Sequence, residues 1–74
     1  MTDREWKQEA ETAVTGPGLP YRVVAAWVEA SSLTCCADYA DQRTGRERHV
    51  KVSHQQFNTP AGRRGEIVRQ LDSR

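Results

Sequence analysis

Long apolar runs are missing from this 74-residue chain. None approaches the roughly 18 residues that a bilayer-crossing helix requires, so no membrane span is expected. The opening Met1-Thr2-Asp3-Arg4-Glu5 is charged and leads into no apolar segment, so no secretion signal is expected either. Cysteine is scarce, and its two copies are adjacent, Cys35-Cys36. Neighbours in a strand point to opposite faces, and a bond between them would strain the backbone. That excludes a disulfide framework and suggests a reducing cytoplasm. Aromatic residues make up 7% and hydrophobic residues 36%, enough for one small core and one domain. An unstapled chain of this size has little stability to spare and would gain from a partner or from homodimerisation.

Net charge is nearly absent, at +1, but its distribution is not even. Residues 1–41 carry three cations against seven carboxylates, a net −4. Residues 42–74 carry eight cations against three carboxylates, a net +5. Such asymmetry concerns partners and steering rather than fold.

Local signals give the element order. Thr2 with Glu5 forms a capping-box pattern, and Trp6, Ala10, Ala13 and Val14 make one helical stripe, predicting a helix over 3–14. Gly16-Pro17-Gly18-Leu19-Pro20 ends it. Strands are expected over 21–29, 33–42 and 47–55, with turns at Ser31-Ser32 and Thr44-Gly45. Thr59-Pro60 reads as a cap followed by the first residue of a helix over 60–72, whose stripe is Ile67, Val68 and Leu71. The fold class is therefore α+β, in the order α-β-β-β-α, with a three-stranded antiparallel meander.

Turn positions set an expected register. A turn centred on Thr44-Gly45 pairs Tyr39 with Val50, Ala37 with Val52 and Cys35 with His54. A turn at Ser31-Ser32 pairs Val24 with Tyr39, Ala26 with Ala37, Val28 with Cys35 and Arg22 with Asp41. One face is then apolar throughout, and a one-residue slip would destroy that agreement. The opposite face carries Tyr21, Val23 and Trp27 beside Cys36, Asp38, His49 and Lys51. Either the first helix covers this second face, or both helices share the valine face and leave Tyr21 and Trp27 open.

Residues for chemistry are few. No Ser/His/Asp constellation can be assembled, and Glu5 with Glu9 reads as a solvated helix face. Gly16-Pro17-Gly18 lacks the Lys-Ser/Thr ending of a phosphate loop. Cys35, Cys36, His49 and His54 split two to a face, which does not close a metal tetrahedron. No enzyme activity, metal or cofactor is expected. The element order matches double-stranded-RNA-binding domains in outline, but the long first hairpin loop and the lysine-rich start of the last helix are absent, and no membership follows.

What remains is binding. Tyr21 and Trp27 have the character of interface anchors, with Arg43, Arg46, Arg48, His49 and Lys51 beside them and Arg63 and Arg64 opening the last helix. The expectation is a small regulator or inhibitor of the phage or mobile-element kind, docking on a larger host protein or nucleoprotein assembly. The alternative is direct nucleic-acid binding through the basic hairpin and the start of the last helix, by phosphate contacts and base stacking.

Overall fold

The computed structural model describes residues 1–72. It contains α1 (Asp3–Thr15), β1 (Tyr21–Glu29), β2 (Thr34–Asp41), β3 (Glu47–Ser53) and α2 (Pro60–Asp72). The strands form one antiparallel sheet in the order β1-β2-β3. This is the expected small α+β domain.

Helix α1 begins as its sequence dictates. The Glu5 amide donates to Thr2 Oγ1 at 3.1 Å, and the Thr2 amide donates to Glu5 Oε1 at 3.1 Å. This reciprocal pair satisfies two donors that the first turn would otherwise leave free. The helix unwinds through Gly18, whose φ of +73° suits a residue without a Cβ. There Gly18 N–H donates to Thr15 O and Leu19 N–H to Val14 O, the paired bonds of a glycine-terminated helix. Helix α2 opens as expected, with Thr59 Oγ1 accepting from Gly62 N–H at 3.1 Å and Pro60 at the first helical position.

Both helices pack on one face of the sheet. Trp6, Ala10, Ala13 and Val14 of α1 join Ile67 and Leu71 of α2 over Cys35, Ala37, Tyr39, Val50 and Val52 in one buried cluster. Two buried hydrogen bonds fix α1 to the central strand. Trp6 Nε1 donates to Cys36 O at 2.7 Å, and Tyr39 Oη donates to Ala10 O at 2.7 Å. Burial pushes the Tyr39 phenol well above its ordinary range, so it remains a donor. A third tie joins the helices. Arg63 donates through Nε and Nη2 to the two Glu9 carboxylate oxygens at 2.9 and 3.1 Å, and through Nη1 to Phe57 O at 3.2 Å. Glu9, expected on a solvated face, is half-buried because this arginine reaches it.

The register departs from expectation at two places, each with a local cause. The β2–β3 loop holds four residues, 42–45, and not two. Gly45 N–H donates to Asp41 O at 2.7 Å with Gly45 at φ +77°. Pairing therefore moves by two residues, to Ala37↔Val50 and Cys35↔Val52, and every side chain keeps its expected face. In β1 the expected pairs Ala26↔Ala37 and Val28↔Cys35 hold, but a bulge between Val23 and Ala25 shifts the rest by one. Val23, not Val24, now faces Tyr39, and Tyr21, not Arg22, faces Asp41. Tyr21 and Val23 thus turn toward the core, while Val24 is left exposed.

Both sheet borders are guarded by helix side chains. On β1, Val28 N–H donates to Asp3 Oδ1 at 2.9 Å. On β3, the Gln70 amide acts as a strand peptide, accepting from Lys51 N–H at 3.2 Å and donating to Lys51 O at 2.7 Å. Unpaired strand borders invite pairing with other chains, and these contacts occupy part of each.

Two outcomes are expected. Removing one partner of a buried ion pair leaves the other uncompensated, so Arg63→Ala should cost about 3 kcal/mol in urea unfolding. The double variant Arg63→Met/Glu9→Leu should recover most of that loss. Gln70→Ala should accelerate hydrogen exchange of the Lys51 amide while leaving the β1–β2 amides unchanged.

Candidate protein-binding surface

The side of the sheet away from the helices is open. It presents Arg22, Ala25, Trp27 and Glu29 of β1, Thr34, Cys36, Asp38 and Ala40 of β2, and Glu47, His49 and Lys51 of β3, as the pairing parity requires. Trp27 and His49 belong to the two outer strands, yet their ring centroids lie 6.0 Å apart at a tilt of 41°. They meet across the central strand, where Cys36, the pairing partner of Trp27, has no exposed surface. Asp38 Oδ1 lies 2.5 Å from His49 Nδ1 and fixes the imidazole beside the indole. The result is a pair of rings, Trp27 half-buried and His49 exposed, with Lys51, Glu29 and Glu47 on the same face.

The thiols are structural. Burial raises the Cys35 and Cys36 thiols above their ordinary range, and for Cys36 the neighbouring Glu29 adds to the effect. Neither is poised as a nucleophile. Cys35 lies on the helix side and Cys36 on the open side. Among the described residues no group of three His, Cys, Asp or Glu side chains converges as metal ligands would.

The structure disperses the nine residues singled out from the sequence. Trp27, His49 and Lys51 come together on the open face. Tyr21 does not join them, because the bulge turns its ring to the helix side, where it meets Tyr39 edge-on at 6.4 Å. Arg43, Arg46 and Arg48 gather near Tyr21 at the far end of the sheet, around a shallow groove. Arg43 is engaged by Asp41, with Nε and Nη2 donating at 3.2 and 3.1 Å. That contact holds the Asp41 carboxyl below its ordinary range and raises the Arg43 guanidinium. Arg48 donates to the last carbonyls of α2, Leu71 O at 3.3 Å and Gln70 O at 3.1 Å. Arg63 is 4% exposed and belongs to the core, so it leaves the accessible set. Arg64, half-buried, lines a separate apolar groove between the helices with Thr12, Ala13 and Pro17.

One surface escaped the sequence. Met1 and Leu33 are exposed and line an apolar groove with Val28 and His54 at the β1–β2 hairpin end. Leu33 closes that hairpin at φ +52°, a left-handed conformation that costs a non-glycine residue energy. The available signal was a leucine directly after Ser31-Ser32, in a place where turns favour glycine or asparagine.

Comparison with known proteins found no matching family model, no matching curated protein and no matching solved structure.

The pH dependence of stability follows from the carboxylates. Thr2 lowers Glu5, Arg43 lowers Asp41 and Arg69 lowers Glu66, each through hydrogen bonds to the ionised form. A depressed folded pKa contributes stability above the unfolded value, and that contribution is lost as pH falls through the folded value. The thermal midpoint should therefore be flat from about pH 7 to 5 and fall below about pH 4.5. Asp41→Asn should make the acid fall shallower.

Proposed function

We propose that this chain is a non-enzymatic binding module whose working surface is the open face of its sheet, and that the occupant is another protein. The observation that carries this reading is the position of Trp27. Its indole lies on the side that neither helix covers, on the strand position opposite Cys36 and against the His49 ring. An aromatic ring held half-exposed in one orientation loses little freedom on docking and offers a large contact area, the character of an interface hot spot. In this reading the chain is a small regulator or inhibitor of the phage or mobile-element kind, acting on a larger host protein or nucleoprotein assembly. The buried, free thiols of Cys35 and Cys36 suit a reducing, cytoplasmic setting. Among the described residues no helix is long and apolar enough to cross a membrane.

Charge placement favours protein over nucleic acid as the occupant. The open face mixes Arg22 and Lys51 with Glu29, Asp38 and Glu47. The cations expected to form one basic surface instead lie on the open face, at the hairpin tip, between the helices and in the core. A duplex or single strand needs a continuous row of phosphate contacts.

The test is capture of partners from host lysate with the intact chain as bait. Trp27→Ala and Lys51→Glu should each keep the wild-type far-UV spectrum and the buried Trp6 emission. Trp27→Ala should weaken capture by about 2 kcal/mol or more. Undiminished capture by both variants would overturn the reading. Salt-sensitive binding of a plain duplex or single strand at about 50 mM salt would favour the nucleic-acid alternative. Concentration-dependent sedimentation abolished by Trp27→Ala would identify a second copy as the occupant.

A further inference from the structure

Along β1 the open-face positions run Arg22, Ala25, Trp27, Glu29: a cation, a small side chain, a large one, an anion. Read in the opposite direction, the same line is anion, large, small, cation, and so complements itself. The bulge creates this order, because Arg22 and Ala25, three apart in sequence, take successive open-face rows beside Ala40 and Asp38. Arg22 and Glu29 are exposed, and neither enters an ion pair among the described residues. Glu29 accepts from the Ser32 hydroxyl at 3.3 Å and the Cys36 thiol at 3.7 Å. At about 3.3 Å per residue the strand holds the two charges roughly 20 Å apart, so neither can neutralise the other within one chain.

Two sheets that pack face to face keep their strands aligned within about 30° and interleave their side chains. A second copy laid on the open face, about a two-fold axis that crosses the strands midway between Ala25 and Trp27, meets this line in reverse. Arg22 of each copy then stands over Glu29 of the other, and each Trp27 over the other's Ala25. On the central strand Asp38 comes over Cys36. On β3 Lys51 comes over His49, whose Nδ1 lies 2.5 Å from Asp38 Oδ1. A two-fold axis along the central strand would instead bring Asp38 onto Asp38, which like charge disfavours. Two-fold symmetry repeats every contact, so each opposite-charge pair occurs twice.

We propose that the open face pairs with itself, two copies of this chain meeting about the transverse two-fold axis. The pairing rests on the open-face reading and adds its regulation: at high concentration a second copy covers Trp27, and a host partner must displace it. A footprint of a few hundred Å² per copy is well below the roughly 800 Å² of a standard interface, so the dimer is weak.

The test is sedimentation equilibrium of the intact chain at fixed ionic strength. A monomer–dimer equilibrium is expected in roughly the hundred-micromolar range. Arg22→Glu and Glu29→Arg should each weaken it about tenfold or more, because two attractions become two repulsions. Mixing these two variants in equal amounts should restore association, since every pair between unlike copies is again of opposite sign. The double variant Arg22→Glu/Glu29→Arg should restore it too. Lys7→Glu, the same charge change at an exposed position of α1, should leave it unchanged. A chain that stays monomeric at about 1 mM would overturn the proposal. So would a mixture that associates no better than either variant alone, or rescue of Arg22→Glu by Glu47→Arg and not by Glu29→Arg. A monomer whose capture of host partners still depends on Trp27 would remove the pairing and leave the open-face reading standing. A dimer that passes the mixing test, with capture indifferent to Trp27 and Lys51, would do the reverse.

Discussion

Two hydrogen bonds running in opposite directions between α1 and the central strand hold the arrangement together: the Trp6 indole gives to β2, and the Tyr39 phenol gives back to α1. Each donor is large, apolar in its body and polar at its tip, so it can fill the core and still satisfy its N–H or O–H. With α1 fixed there, α2 has only the remaining half of the same face to cover. The chain contains a single core's worth of apolar side chains, and most of it is spent on that side. The open face is a direct result of this shortage, and Trp27 stands out because the larger apolar groups near it were turned inward.

That turning is the work of the bulge at Val23 to Ala25. Without it, strict alternation would leave Tyr21 and Val23 in water beside Trp27, as the sequence pattern alone suggests. One extra residue lets the first part of β1 bury its odd positions and the second part its even ones. The energetic reason is plain in burial: Tyr21 and Val23 pack on the core, and the exposure falls on Val24 alone.

The sequence made the element order legible because its caps and turn residues are strong. Thr2 with Glu5, Thr59 with Pro60, and Gly45 all do in the structure what their chemistry requires. The apolar parity of β2 and β3 was legible too, since a two-residue error in loop length leaves every side chain on its own face. The bulge was not legible, because no glycine or other marker accompanies it and both patterns contain the same residues. Nor was Arg63, since a cation beside Arg64 at a helix start looks solvated until Glu9, far away in sequence, is placed against it. The candidate site was legible at Trp27, His49 and Lys51, which share a parity that the bulge does not disturb, and not at Tyr21, which lies beyond it.

The side chains of Asp3 and Gln70 on the two outer strands restrict how anything can be added to this β-layer. With part of each border occupied, the approach left fully open is along the normal to the sheet. Three strands spaced about 4.8 Å apart and rising about 3.3 Å per residue offer a flat footprint of only a few hundred Å². Footprints of that order belong to encounters that form and dissolve quickly. For the open-face docking proposed above, so small a footprint implies short residence times and rapid exchange between successive partners.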